Sequence, residues 1–254
     1  MKFKQYISES DKYGGNYRTK PIDKETAIKL IKDNCKKSYH IMYNSPYSRK
    51  LYRGVLSSKE YGFVDTNTGQ PRISANTLNY MTLLMDNLPS WKEYPKRSKS
   101  IICSTNPDYT SEYGKVNHVI PYDNAVIGVC GYFDVWNSFT ALGHNTVSDF
   151  NRALQSMFDR EKIDVDDRSY DSLVDGLIKL SKISDTTKQS NLVSLIIDSD
   201  DVMKHLDEIL DPKRNGFKMG YKGLEDDVEV WVQGKCVLVN NRLFDDMKES
   251  INEI

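Results

Sequence analysis

The sequence predicts an α+β fold, a β-rich chain with a helical part toward its N-terminus and a helical block inserted at about residues 131–210. Two observations carry this. Residues 225–239 alternate strictly at first, so that Val228, Val230 and Val232 face one side while Asp227, Glu229 and Trp231 face the other; after Gly234 the run resumes as Cys236-Val237-Leu238-Val239. Between the upstream strands and this one, apolar residues change to helical spacing. With 254 residues the chain is long enough to bury a sizeable core, and a single domain over 1–254 carrying that insertion is expected.

Composition narrows the function classes. Hydrophobic residues are 39% and charged residues 28%, ordinary for a globular protein, and the net charge of −1 implies no bulk attraction to nucleic acid or membrane. No apolar run is long enough to span a bilayer, and the opening Met1-Lys2-Phe3 stretch lacks a signal-peptide core, so a cytoplasmic location without membrane partners is expected. Cys35, Cys103, Cys130 and Cys236 are scattered, with no paired spacing and no histidine at metal-ligand spacing. They read as buried free thiols, and no metal is expected.

Along the chain, residues 1–20 read as a loosely docked arm with Gly14-Gly15. Asp23 is placed to cap a helix running to about Cys35, and a Tyr- and Ser-rich connection follows. The strand Lys50-Leu51-Tyr52-Arg53-Gly54-Val55-Leu56 puts Arg53 on a face with Leu51 and Val55. A guanidinium there needs a carboxylate, phosphate or other anion as partner, either a buried structural acid or a ligand. Gly54 beside it admits close backbone approach. Residues 57–72 carry turn chemistry and read as a loop. Leu78, Met81, Leu84, Met85 and Leu88 then predict a core helix over about 74–87.

Ser100-Ile101-Ile102-Cys103 reads as a short strand ending in Ser104-Thr105-Asn106 before Pro107. Those side chains suit either a local cap or a hold on a carboxylate or ribose. Residues 118–121 and 125–130 read as a strand pair, with Pro121 at an edge or bulge. His118 is either a base or, more ordinarily, structural. In the insertion, helices are expected at about 147–158, 169–183, 191–197 and 201–210; the acidic runs 164–167 and 198–201 suit helix starts. A basic, Gly-rich, aromatic loop from Lys213 to Gly223 leads back to the acidic strand, and the tail from Asn240 is expected to end as a short helix with Phe244, Met247 and Ile251 on one side.

Three elements therefore stand in order: Tyr52-Arg53-Gly54 on a strand, Ser104-Thr105-Asn106 at a strand end, and Asp227-Val228-Glu229 on a later strand. In this order they resemble the R-S-E class of ADP-ribosyltransferases, whose motifs are an arginine on the first core strand, Ser-Thr-Ser, and Glu/Gln-x-Glu. The continuation Glu229-Val230-Trp231-Val232-Gln233-Gly234 followed by a last strand is similar to that family's closing pattern. The opening and overall texture are also similar to proteins of T-even-like bacteriophages. The resemblance covers residues 50–56, 100–130 and 211–239 and implies an ADP-ribosyltransferase-like β-sandwich core. The chain departs from it at Asp227, a methylene shorter than the family's acid, and at Asn106, where the family has serine.

The resemblance implies transfer of ADP-ribose from NAD, as substrate, to a host macromolecule, with a protein arginine as first choice. Glu229 would stabilise the oxocarbenium-like ribose, and Ser104 would orient it. Arg53 would pair with the pyrophosphate, for which a guanidinium fork is suited. Gly54, Thr105 and Asn106 would complete the NAD contacts. Asp227 would select or deprotonate the acceptor, while the loop from Lys213 to Gly223 would meet the acceptor protein or a nucleic acid. A phage-encoded transferase would act in the host cytoplasm. The other reading is an idle copy of the fold that binds and inhibits a host defence factor, such as an ADP-ribosylating toxin.

Overall fold

The structure is a computed structural model that describes residues 19–44, 48–55, 60–69, 71–73, 77–139, 147–183 and 201–252. Residues 1–18 of the expected N-terminal arm, the helix at about 191–197 and residues 198–200 of the second acidic run lie outside these residues, while the end of the arm is a strand beginning at Lys20. The chain divides into two compact units: residues 1–72, 94–129 and 219–254 form the first, and residues 73–93 with 130–218 form the second.

The strands are β1 (Lys20–Pro21), β2 (Tyr52–Val55), β3 (Tyr61–Asp65), β4 (Ile101–Ser104), β5 (Lys115–Pro121), β6 (Val126–Val129), β7 (Lys218–Met219), β8 (Glu229–Gln233) and β9 (Lys235–Asn240). The helices are α1 (Lys24–Asn34), α2 (Lys36–Tyr43), α3 (Tyr80–Asn87), α4 (Pro107–Ser111), α5 (Val147–Arg160), α6 (Tyr170–Ser181), α7 (Val202–Ile209) and α8 (Phe244–Asn252). The fold is α+β, as the sequence predicts.

The described strands form one sheet of nine in the order β1-β3-β9-β5-β2-β4-β8-β6-β7. Where two packed sheets are expected, hydrogen bonding is continuous, but only just. β2 pairs with β5 over Tyr52–Val55, whereas it meets β4 through the single pair Tyr52↔Ser104. On either side of this pinch the ladders are full, β5 with β9 and β4 with β8. One hydrophobic cluster is shared by both sides, with Val119, Val237 and Leu238 from one and Ile101, Cys103, Val230 and Val232 from the other.

Two expected neighbours do not pair. β5 lies between β2 and β9, whereas β6 pairs with β8, so the 118–130 hairpin does not form. Instead, Tyr122 N–H donates to the Lys235 carbonyl (2.9 Å) and the turn carries the chain across the pinch. Pro121 is tolerated as the last residue of its strand, opposite Cys236. In the same way β8 and β9 belong to opposite sides. Gly234 between them has φ 130° and exchanges bonds with Thr66, donating to its hydroxyl at 2.7 Å and accepting its N–H at 3.0 Å. That φ favours glycine.

In the first unit α1 begins at Asp23, whose carboxylate accepts the Thr26 N–H at 2.7 Å. α2 replaces the expected Tyr- and Ser-rich connection. Its Tyr39, Met42 and Tyr43 are buried at helical spacing, and its N-terminal N–H groups of Lys37 and Ser38 donate to Asp123, 3.2 and 2.9 Å away. That cap arrives from a distant turn, so no local signal announces the helix. β3 likewise lies in the expected loop: Tyr61 and Val64 are core residues, and the turn chemistry begins only after it. Phe244 and Met247 of α8 close the same core.

The second unit is helical. α3 starts at Tyr80, later than its apolar stripe suggests, because Asn151 on α5 holds its start: Oδ1 accepts the Met81 N–H (3.1 Å) and Nδ2 donates to the Leu78 carbonyl (2.6 Å). Tyr80 meets Phe158 edge-on with centroids 5.7 Å apart. This packing explains why residues 73–93 join the inserted block. α6 and α7 are capped by Ser169 and Asp201. Among the described residues no helix is long and apolar enough to cross a membrane, and no cluster of metal-binding side chains occurs.

All four cysteines are buried and free, and burial pushes the Cys103 thiol up to about 12. His118 is structural. It is 3% exposed, stacks on Phe244 with centroids 3.9 Å apart, and its Nδ1 lies 3.2 Å from the Tyr43 hydroxyl. Burial first, then the Lys50 charge, lower its pKa to about 3, against a smaller opposing hydrogen bond from Asn241. The folded state thus holds His118 neutral. Its contribution is complete above the unfolded value of 6.5 and is lost as pH falls toward 3. Between pH 6.5 and 5 the loss is roughly 2 kcal/mol, at about 1.4 kcal/mol per unit. Urea denaturation at pH 7 and pH 5 should therefore show a smaller pH-dependent loss in His118→Gln than in the wild type.

Candidate functional site

The pinch is where the sequence motifs meet. Residues directly opposite one another on neighbouring strands share a face, and the register runs His118↔Tyr52↔Ser104↔Glu229 across β5, β2, β4 and β8. Ser104 and Glu229, far apart in the chain, therefore stand side by side. Tyr52 sits next in the row and lies against the His118 ring, centroids 4.9 Å apart.

Arg53 follows Tyr52 and by alternation points to the opposite face, the side of Cys103 and Val230. Its positive charge there opposes the rise that burial imposes on the Cys103 thiol. Nη1 of Arg53 donates to the Ile102 carbonyl at 2.8 Å. The half-buried guanidinium thus spans the strand edge where the β2–β4 ladder gives out. The structure brings Ser104 and Glu229 together and sets Arg53 across the sheet from them.

Glu229 is 4% exposed, so the strand is buried on both faces, with Val228, Val230 and Val232 on one and Glu229 and Trp231 on the other. Two donors converge on the same carboxylate oxygen. Trp231 Nε1 donates to Oε1 at 2.5 Å, and Arg97 Nη2 reaches Oε1 at 3.4 Å. Arg97 is itself buried, and its guanidinium carbon lies 5.7 Å from the centre of the Trp231 ring. The shared face of Glu229 and Trp231 is readable from i, i+2 spacing. Arg97 is not, because it enters from the 3₁₀ turn Arg97–Lys99 with no local link to β8.

The Ser-Thr-Asn strand end is bound up locally and with the acidic turn. Ser104 Oγ accepts the Asn106 N–H at 3.0 Å. Thr105 makes two bonds to Val228: its N–H donates to the carbonyl (3.1 Å), and its hydroxyl oxygen accepts the N–H (3.0 Å). Asn106 caps α4 by accepting the Asp108 N–H and donates Nδ2 to Asp227 Oδ1 at 2.6 Å. Asp227 precedes β8 rather than belonging to it. It is exposed and has φ 57°, a left-handed conformation that aspartate tolerates better than most residues. Its neighbour Asp226 pairs with Arg49, with Nε 2.6 Å from Oδ1. Arg49 is a second contributor that no spacing reveals.

Gly54 is explained by the chain itself. A Cβ there would lie 2.1 Å from the Thr110 carbonyl oxygen and 2.7 Å from Tyr113 Cβ. The open side expected to receive NAD is filled by α4 and the turn after it. The loop from Lys213 to Gly223 is also partly committed. Asn215 donates to the Ile209 and Asp211 carbonyls, and Phe217 is buried edge-on against Trp91; Lys213, Lys218 and Lys222 stay exposed.

The chain matches no protein-family model, no curated protein and no solved structure.

The Gly54 contact sets an expected outcome. Gly54→Ala must displace backbone and should cost about 1–3 kcal/mol or more, read as a lower urea midpoint at unchanged m-value.

Proposed function

We propose that the protein transfers ADP-ribose from NAD to a host macromolecule, with a protein arginine as the first acceptor to test. The observation that carries this reading is the register of Ser104 against Glu229 at the pinch. Two of the three resembling motifs become neighbours there, and the third, at Arg53, ends one strand position away from their row. In the reaction the bond between ribose C1′ and nicotinamide breaks and the electron pair leaves with nicotinamide. The resulting cation is stabilised by the Glu229 carboxylate, and an acceptor nitrogen then attacks C1′ and loses a proton. Ser104, beside Glu229, supports the carboxylate. Asp227, exposed in the turn before Glu229, receives the acceptor's proton. Arg53 points to the other face of the sheet, its guanidinium steadied by the Ile102 carbonyl, and is therefore not assigned the pyrophosphate. Thr105 and Asn106 act by holding the Asp227–Val228 turn, and Gly54 has no contact with NAD. A phage protein working in the host cytoplasm fits this activity.

One observation favours the second reading, an idle fold that binds and inhibits a host defence factor. Arg97 and Trp231 already satisfy the buried Glu229 carboxylate, and Asn106 holds Asp227. Incubating labelled NAD with host lysate separates the two. Transfer predicts labelled protein with the wild type and a loss of about 100-fold or more in Glu229→Gln. Equal labelling by both proteins rejects the Glu229 mechanism. If NAD at a hundred times any plausible dissociation constant fails to give about 2.7 kcal/mol of stabilisation, the inhibitor reading stands instead.

A further inference from the structure

Glu229 is held in a way that none of the resembling motifs explains. Its carboxylate is almost fully buried, 4% exposed with the rest of the residue, and carries charged and aromatic company. It meets an indole N–H and a guanidinium, both at Oε1. Burying an ion pair is expensive, and apolar residues of similar volume would generally serve stability as well or better. The cluster is also built with redundancy. The Arg97 guanidinium lies over the Trp231 ring, so each donor fixes the other as well as the carboxylate. Its place matters too: Trp231 lies opposite Ile102 and Glu229 opposite Ser104, so the donors approach from one side of Glu229 along β8 while Ser104 flanks it across the ladder.

We propose that Arg97 and Trp231 are positioning residues that hold the Glu229 carboxylate through Oε1, fixing the direction in which its negative charge is presented to the ribose. The inference rests on the transferase reading and adds two residues to it. Neither touches NAD in this scheme; both act through Glu229. Their removal should therefore lower the rate of the chemical step and leave NAD binding alone. An orienting shell of this kind is worth much at a reacting centre, where a misplacement of about 1 Å costs on the order of 100-fold.

The experiment measures nicotinamide release with acceptor present for the wild type, Trp231→Phe, Arg97→Met and Arg97→Lys, with folding checked by circular dichroism. Expected is a fall in kcat of about tenfold to a hundredfold for Trp231→Phe and Arg97→Met. KM for NAD should stay within about twofold, and Arg97→Lys should recover part of the loss. In a Glu229→Gln background, adding Trp231→Phe should change kcat by less than about twofold, since residues acting as a unit are not additive. If Arg97→Met does not fold, Trp231→Phe and Arg97→Lys carry the comparison. An active wild type whose folded variants keep full kcat, lose only NAD affinity, or lose rate additively with Glu229→Gln overturns this inference alone. A wild type that releases no nicotinamide overturns the transferase reading and this inference with it.

Discussion

The single residue pair Tyr52↔Ser104 is the constraint on which the first unit depends. A sheet that continued full ladders from β5 through to β8 would leave no open edge between β2 and β4 for the Arg53 side chain to occupy. By narrowing to one pair, the sheet keeps a common core while exposing carbonyls such as that of Ile102, which the Arg53 guanidinium then takes up. Buried backbone groups have to be paired, so an interrupted ladder calls for a side-chain donor at the break. Chain connections follow the same division. The turn at 122–125 and the glycine at 234 both carry the chain from one side of the pinch to the other.

The second constraint is the buried carboxylate next to that break. Glu229 remains in the interior because an arginine and a tryptophan supply donors, and Arg97 remains because it has a carboxylate and an aromatic face. Removing one member of a buried ion pair generally costs far more than the pair is worth. The acidic turn just before β8 is tied separately, Asp226 to Arg49 and Asp227 to Asn106. The two acids that look equivalent in the sequence thus differ in kind: Glu229 is buried and held by two donors, whereas Asp227 is exposed in a left-handed turn.

Much of this was legible along the chain. The cap at Asp23 and the helix starts near Ser169 and Asp201 are where the structure has them, because a side-chain oxygen reaching the third N–H onward is a local event. The strand ending at Ser104 is also where its pattern places it, whereas the alternation that begins at Glu225 overruns the strand, which starts only at Glu229 because Asp227 turns the chain with φ 57°. Helix α2 and strand β3 were not legible as such. The first depends on a cap from Asp123 and the second on pairing with β9, and both partners are remote in sequence. The glycine at 54 was recognised as a point of close approach, but what approaches is α4 rather than a ligand.

By itself the sequence determined the α+β class, the helices with local caps or apolar stripes, the buried thiols and the two-faced character of the Glu229 strand. All of these rest on periods and caps a few residues long. The tertiary structure alone decided which strands are neighbours, that residues 73–93 join the inserted helices, and that Glu229 is met by Arg97 rather than by Arg53. Strand order and side-chain pairing are set by which distant surfaces bury one another, and single-chain spacing carries no record of that choice.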